Sequence, residues 1–170
     1  MTSSVTIRPE TKADFQAITE VTIKAFRTLE ISNHTEQFII NALRAAGALS
    51  VSLVAEIHDR VVGHIAFSPV GISGGTEGWY GLGPLSVVPR YQRQGIGTAL
   101  LNEGLTRLKG RDARGCCVVG HPAYYRKFGF VTIDGLTMGG VPPDVFLGLA
   151  FGAYTPRGTV AFHDAFGAVV

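Results

Sequence analysis

One stretch of the sequence decides the fold, and it reads Leu85-Ser86-Val87-Val88-Pro89-Arg90-Tyr91-Gln92-Arg93-Gln94-Gly95-Ile96-Gly97-Thr98-Ala99. Its apolar beginning predicts a strand, which Pro89 ends because proline cannot donate a hydrogen bond to a strand ladder. Gly95 and Gly97 follow, and the residues after them have an apolar stripe at helical spacing over 95–109. The sequence therefore predicts a strand, a tight loop and a helix in direct succession.

The start of this helix predicts an anion site. The backbone N–H groups of a first helical turn have no helical acceptor, and the helix dipole adds positive potential there. Gly95 and Gly97 lack a Cβ atom, so phosphate oxygens can approach the main chain closely. Arg90 and Arg93 add positive charge. The residues alone indicate a phosphate-bearing ligand, and a purely structural turn is the alternative that they leave open.

Two common phosphate motifs do not fit. No Gly-x-x-x-x-Gly-Lys-[Ser/Thr] sequence is present, which excludes a P-loop. A dinucleotide fingerprint needs a third glycine or an alanine at position 100, where this chain has Leu100.

Helices and strands alternate around the deciding stretch, which predicts an α/β domain with a mixed sheet. The predicted strands cover 5–8, 51–57, 61–68, 79–88 and 116–119. The predicted helices begin at the capping-box sequence Thr11–Asp14, at His34 and near Ala123. The first helix is predicted to bury Phe15, Ile18, Val21, Ala25 and Leu29, and the second, over 34–46, to bury Phe38, Ala42 and Leu43. This pattern predicts a single domain over residues 1–170.

Composition narrows the class of protein. The chain has 170 residues, of which 46% are hydrophobic, enough for a core without metal or disulfide. Cys116 and Cys117 are adjacent, so reduced core thiols are predicted. The five histidines have no ligand spacing, so no metal is predicted. A polar start over Met1–Thr6 and the lack of any run of about 18 apolar residues predict a cytoplasmic protein without a leader or membrane span.

The net charge is +2 and the sequence pI is about 8.7. A pI above about 9 is typical of a domain that binds nucleic acid through charge, so no nucleic-acid partner is predicted. A local group of basic residues suits a small polyanion better than a duplex, and a solvated basic face is the alternative.

Two motifs carry a resemblance to a known family. Gln92-Arg93-Gln94-Gly95-Ile96-Gly97 resembles the [Arg/Gln]-x-x-Gly-x-[Gly/Ala] signature that binds the coenzyme A pyrophosphate in the GNAT superfamily. Tyr124-Tyr125-Arg126-Lys127-Phe128-Gly129-Phe130 resembles the family's downstream Tyr-x-x-x-Gly-Phe segment. The likeness covers roughly residues 5–132, and the part from Asp134 onward resembles one bacterial-type subgroup of small GNAT proteins. It implies the GNAT fold, a central mixed, mostly antiparallel sheet flanked by helices, with a splayed strand at the acyl-coenzyme A site.

The resemblance implies an acetyl-coenzyme A-dependent N-acetyltransferase that acts on a primary amine of a small molecule or peptide. The pantetheine arm would then contact Leu85, Ser86, Val87 and Val88. The pyrophosphate would lie on the amides of Arg93, Gln94, Gly95, Ile96, Gly97 and Thr98. A catalytically silent acyl-coenzyme A sensor or regulatory module is the alternative function.

Tyr125 occupies the position of the family's tyrosine that protonates or hydrogen-bonds the departing thiolate, whereas Tyr124 is interpreted as a packing residue. Deprotonation of the amine calls for a base or a water chain, and candidates without a clear motif are Glu30, His34, Glu36, Glu77 and His121. Glu30 and His34 lie in the segment that shapes the acceptor pocket in the family, so they are the predicted substrate contacts.

Apolar runs at Val145–Phe151 and Phe166–Val170 suggest a homodimer.

Overall fold

The computed structural model describes residues 4–170. Met1 to Ser3, on which the prediction of no leader partly depends, lie outside the described residues. The strands are β1 (Thr6–Pro9), β2 (Val51–Ile57), β3 (Arg60–Pro69), β4 (Gly71–Ile72), β5 (Trp79–Val87), β6 (Gly115–Val119), β7 (Leu136–Met138), β8 (Phe146–Ala150) and β9 (Gly158–Ala161). The helices are α1 (Phe15–Phe26), α2 (Glu36–Ala45), α3 (Ile96–Gly110) and the short α4 (Pro122–Tyr125). Among these residues, no helix is long and apolar enough to cross a bilayer.

The main sheet has six strands in the order β1-β2-β3-β5-β6-β8. Only β5 and β6 run parallel, and the other neighbours are antiparallel. The predicted mixed, mostly antiparallel sheet is therefore confirmed. A second, three-stranded sheet of order β4-β9-β7 is formed largely by the C-terminal third, where the sequence predicted only further strands and turns.

Strands β5 and β6 separate from each other soon after they begin. Their pairing is limited to Trp79 with Gly115, Tyr80 with Cys116 and Gly81 with Cys117. On the other side of β5, the register with β3 shifts between Ile65 and Phe67, as it does at a β-bulge, which bends a strand and increases its twist. The edge of β5 that faces β6 is thus open from Leu82 onward.

Both faces of the sheet are covered. Helix α3 packs on β2, β3 and β5, and Gly104 lets it approach closely, since a Cβ there would collide with the ring of Phe67. Helices α1 and α2 cover the opposite face, where Ile18 and Ile40 pack against Val54. Strand β2 is consequently buried along almost its whole length, although its alternating pattern is typical of a half-buried strand.

The inward faces of the first two helices differ from the prediction. Helix α1 ends at Phe26, so Leu29 lies outside it and is 43% exposed. Helix α2 buries Ile39, Ile40 and Leu43, whereas Phe38 and Ala42 are only partly buried. The physical reason is that the C-terminal turn Asp164–Gly167 packs on α2 through Ala165 and Phe166, a contact between distant parts of the chain.

The apolar residues near the C-terminus serve mostly internal packing. Phe146 and Leu147 are buried within β8, and Cys116 and Cys117 are buried free thiols, as predicted. The ring of Phe166 packs against that of Phe162, with centroids 5.0 Å apart. Of the large apolar residues in the terminal stretch, Val169 and Val170 are strongly exposed.

Asp14 joins β1 to the start of α1. Its carboxylate accepts two hydrogen bonds from Arg8, at 2.7 and 3.0 Å, and one from the backbone N–H of Thr11 at 2.7 Å. The hydrogen bonds from Arg8, the largest influence, lower the pKa of Asp14 to about 2. Because the folded-state pKa is depressed, the stabilisation is present above the ordinary value near 4 and is lost as the pH falls toward 2.

We expect Asp14→Ala to lower the free energy of unfolding by about 2 kcal/mol at pH 7 and to have little effect at pH 2. Urea unfolding of both proteins at the two pH values measures this difference. Glu103→Ala is the control, since it removes only an exposed pair with Arg107 and should cost less than about 0.5 kcal/mol. An equal loss at both pH values would show that the carboxylate charge is not what stabilises this junction.

Candidate active site

A cleft of about 270 Å³ lies between the open edge of β5 and the start of α3. The residues that line it come from β5, from the loop, from the first turn of α3 and from α4: Leu85, Val87, Tyr91, Gln92, Arg93, Gly95, Gly97, Thr98 and Tyr124.

The loop presents its backbone to the cleft. Gly95 is the N-cap of α3 with φ of +85°, in the left-handed region that favours glycine. The N–H groups of Ile96, Gly97 and Thr98 follow in the first turn, where helical geometry supplies no acceptor. A Cβ atom at Gly97 would lie 3.2 Å from the Tyr124 hydroxyl oxygen. The loop is therefore a cradle of backbone donors that a side chain at position 97 would fill.

The open edge of β5 offers further backbone groups. The N–H of Val88 donates to the carbonyl of Val62 at 2.9 Å, so Val88 and Ser86 direct their backbone groups toward β3. Leu85 and Val87 alternate with them and direct theirs to the open edge. The Val87 carbonyl accepts a hydrogen bond from the Gln92 side chain at 2.9 Å, which ties the loop to the strand. The groups left for a ligand are the Leu85 amide and carbonyl and the Val87 amide.

The ten residues predicted to hold the coenzyme divide into two sets. Six of them line the cleft: Leu85, Val87, Arg93, Gly95, Gly97 and Thr98. Ser86 and Ile96 are buried on the other sides of their elements, and Val88 bonds to β3. Gln94 is exposed outside the cleft and donates to the Arg90 carbonyl at 3.1 Å.

Tyr124 and Tyr125 stand edge to face, with ring centroids 5.0 Å apart. Tyr124 lines the cleft, whereas Tyr125 lies behind it against Phe130, at 5.8 Å between centroids. Gly120 makes room for Tyr125, since a Cβ there would lie 2.5 Å from its ring. Burial raises the pKa of Tyr125 to about 12, so its hydroxyl keeps its proton at neutral pH.

Three lining residues were not among the predicted contacts, and one of them is Gln92, which the sequence analysis placed in the motif only. Tyr124 was interpreted as packing, and Tyr91 was given no role, yet both line the cleft. The contact between Tyr124 and the Gly97 backbone joins residues 27 positions apart, so no local pattern marks it.

Within residues 4–170, none of the candidate bases lines this cleft. His34 borders a separate apolar cleft next to α1, with Ile23, Phe26, Arg27 and Gln37, and Glu30 is exposed outside it. Glu36 accepts from Ser32 at 2.7 Å. Glu77 precedes β5, at the end of that strand away from the loop, and His121 is the exposed N-cap residue before α4.

Comparison with known proteins places these features in a family. Residues 48–132 match the family model of the acetyltransferase (GNAT) domain. The chain is 35% identical over 109 residues to the uncharacterized N-acetyltransferase YhbS of Escherichia coli K12. That alignment covers 64% of this chain and 65% of YhbS, so it spans somewhat less than two thirds of the curated relative.

Solved structures are similar over nearly the whole chain. A GNAT family acetyltransferase from Brucella melitensis, crystallised in complex with acetyl-CoA, is 48% identical, with 97% of this chain and 99% of that chain covered and a TM-score of 0.87. YhbS from Escherichia coli, crystallised in complex with CoA, is 28% identical, with 98% and 94% covered and a TM-score of 0.87.

Proposed function

The chain belongs to the GNAT acetyltransferase family, and on that premise we propose that it is an acetyl-coenzyme A-dependent N-acetyltransferase acting on a primary amine of a small molecule or peptide. The observation that carries the proposal is the open edge of β5 beside the glycine cradle of α3, two sets of unpaired backbone groups in one cleft. The similar Brucella melitensis protein was crystallised with acetyl-CoA, which supports the same ligand here.

In this proposal the coenzyme pyrophosphate lies on the first-turn amides of α3, where the helix dipole favours negative charge. The pantetheine arm continues along β5 and pairs with the free backbone groups of Leu85 and Val87. The coenzyme makes no contact with the side chains of Ser86, Ile96 and Val88, which lie behind these backbone groups. Holding the thioester in line with the amine can contribute several kcal/mol to catalysis.

Tyr125 is the proposed proton or hydrogen-bond donor to the departing thiolate. A buried phenol whose pKa is about 12 is fully protonated at pH 7, which suits a donor. Full proton transfer from this phenol to a thiolate, whose thiol has a pKa of about 8.5, is unfavourable. Tyr125 therefore contributes mainly by a strong hydrogen bond to the thiolate.

The acceptor side is formed by the end of α1 and the segment before α2. Glu30 and His34 remain the proposed substrate contacts, and of the two only His34 borders the apolar cleft beside α1. Ile23 and Phe26 give this cleft an apolar wall, which suits an amine with an apolar portion.

Two measurements test the proposed function. Calorimetric titration with acetyl-coenzyme A is expected to show 1:1 binding, and thiol release with a panel of primary amines is expected to reveal turnover. Binding without turnover on any amine would favour the acyl-coenzyme A sensor, and a folded protein that does not bind would remove both functions.

Cytoplasmic location, a single domain over 1–170 and a homodimer stay predictions within this proposal. Fewer apolar residues are available for a dimer interface than the sequence suggested, because Phe146 and Leu147 pack inside the protein. Val169 and Val170 are the apolar residues of the terminal stretch left for contact with a second copy. A monomeric mass by light scattering at working concentration would eliminate the dimer.

A further inference from the structure

The cleft between the end of α1 and the start of α2 has the size of a site for a small molecule. Its volume is about 260 Å³, and its lining residues are Ile23, Phe26, Arg27, His34 and Gln37. Sites for drug-sized ligands usually have volumes of about 300–1,000 Å³, so this cleft suits a smaller ligand. Helix α1 packs on β5, the strand proposed to hold the thioester, and this contact makes the cleft at its end the candidate acceptor site.

The polar side chains of this cleft have unused hydrogen-bonding capacity. Among the described residues, the side chains of Arg27, His34 and Gln37 have no hydrogen-bond or ion-pair partner. Two other arginines near these helices, Arg8 and Arg44, each bind a carboxylate of the protein itself. The guanidinium of Arg27 is therefore available to a ligand.

The cleft has a positive charge and no carboxylate to balance it. Arg27 is the one lining residue, among those that the structure describes, whose side chain is always charged. The nearby acidic residues lie elsewhere, since Glu36 accepts hydrogen bonds from Ser32 and Glu30 is exposed outside the cleft. An acceptor with a second positive charge would be repelled by Arg27, whereas an acceptor with an anionic group would be attracted.

The chemistry of the lining also indicates which anion fits. The planar guanidinium binds a carboxylate through two parallel hydrogen bonds. Ile23 is 38% exposed and Phe26 is partly buried, and both present apolar surface to the cleft. A hydrocarbon chain attached to the carboxylate would contact this apolar surface.

The backbone of His34 is fixed beside Arg27. Its φ is +59°, in the left-handed region that few residues other than glycine adopt. The N–H of His34 donates to the Ser32 hydroxyl oxygen at 2.9 Å, and that hydroxyl donates to Glu36. Residues in such conformations occur often at binding sites. The side chains of His34 and Gln37 can each donate a further hydrogen bond to a carboxylate in the cleft.

We propose that the acceptor is an apolar α-amino acid with a free carboxylate, and that Arg27 selects it. The inference rests on the proposed N-acetyltransferase function and names the acceptor class of that site. Arg27 pairs with the carboxylate, Ile23 and Phe26 contact the hydrocarbon side chain, and the deprotonated α-amine attacks the thioester. The amine nitrogen bonds to the acetyl carbon and the carbon–sulfur bond breaks. The proton that leaves the nitrogen balances the one that the coenzyme A thiol takes up, and the product is an N-acetylamino acid.

Three amines with the same hydrocarbon chain test the role of the carboxylate. They are leucine, leucinamide, which has no negative charge, and 3-methylbutylamine, which lacks the whole group. In the thiol-release assay we expect kcat/KM for leucine to exceed each of the other values by at least about 30-fold, the contribution of a charge-assisted pair. Basicity cannot produce this order, because an α-amine beside an amide has a pKa of about 8 and loses its proton more readily than that of leucine.

A diamine provides the opposite comparison. We expect 1,4-diaminobutane to be acetylated more slowly than leucine, because its second ammonium group would lie near Arg27. Equal values for leucine and leucinamide, or a higher value for the diamine, would overturn the inference and leave the proposed N-acetyltransferase function intact.

Two variants of α1 and its cap form a matched pair. Arg27→Met removes the guanidinium and should lower kcat/KM for leucine at least about 30-fold, with the value for 3-methylbutylamine unchanged. Lys24→Met removes an equal charge from an exposed residue of the same helix that does not line the cleft, and it should change neither value by more than about twofold. A parallel loss on both amines in Arg27→Met would show a merely structural role and overturn the selection by Arg27.

The apolar wall has its own test. The wild-type protein should prefer leucine to glycine at least about tenfold in kcat/KM, as expected for a hydrocarbon side chain in an apolar pocket. Ile23→Thr keeps the branched shape, makes this wall more polar and should reduce that ratio. A leucine-to-glycine ratio near one in the wild-type protein would overturn the assignment of an apolar amino acid.

Calorimetric titration of leucine into the protein saturated with coenzyme A tests the selection without turnover. Leucine should bind the wild-type and Lys24→Met proteins with equal Kd and bind Arg27→Met at least about 30-fold more weakly. No leucine binding by a wild-type protein that acetylates other amines overturns this inference alone. A wild-type protein that binds acetyl-coenzyme A and acetylates no amine overturns the proposed function as well.

Discussion

Replacing Gly97 with glutamate is expected to raise the Kd for acetyl-coenzyme A at least about 100-fold. A Cβ atom at this position lies 3.2 Å from the Tyr124 hydroxyl, so the longer side chain has to occupy the cradle itself. Its carboxylate would also be close to the N-terminal amides of α3, where it would compete with the pyrophosphate for the same donors. Calorimetric titration of the variant and the wild-type protein measures the change.

Gly110→Glu is the matched control for this substitution. Gly110 is the last residue of α3, is exposed, and has open space around the position of a Cβ atom. The control adds the same charge to the same helix at the far end from the loop, so the Kd should stay within about twofold of the wild-type value. If Gly97→Glu bound as tightly as this control, the coenzyme could not lie on the α3 cradle.

Tyr125→Phe is expected to lower kcat by about 10- to 100-fold, in the range of a lost proton donor, without changing the Kd for acetyl-coenzyme A. The substitution keeps the ring that packs on Phe130 and in the space beside Gly120, so the fold should be retained. Only the hydroxyl is lost, and with it the proposed hydrogen bond to the departing thiolate. Steady-state kinetics with calorimetry of the same preparations separate the two quantities.

The neighbouring tyrosine supplies the comparison. Tyr124 lines the cleft beside Gly97, so Tyr124→Phe should change the Kd for acetyl-coenzyme A more than it changes kcat. Because the pKa of Tyr125 is raised to about 12, the donor stays protonated and the wild-type rate should show no loss from this group up to pH 10. A kcat defect in Tyr124→Phe that equals or exceeds the defect in Tyr125→Phe would exchange the roles assigned to the two residues.

The cleft proposed for the coenzyme was largely predictable because its determinants are local. Three features are adjacent in the chain: a strand ended by Pro89, a glycine N-cap at Gly95 and an apolar helical stripe. Each feature can be predicted from the backbone conformations that its own residues permit. The proposed acceptor side was less predictable. Glu36, Glu77 and His121 were candidates on residue type alone, and none of them lies in the cleft.

The sequence by itself determined the order of the main strands and helices up to α4, the strand-turn-helix with its glycines and the family to which the chain belongs, since these depend on short-range geometry and on contiguous motifs. Only the tertiary structure decided the splay of β5 from β6, the place of Tyr124 against Gly97 and the hydrogen bonds that connect Glu10, Ser52 and His64. These features depend on strand register and helix packing, which bring together residues up to 54 positions apart, as Glu10 and His64 are. Their side chains carry no local signal of that proximity.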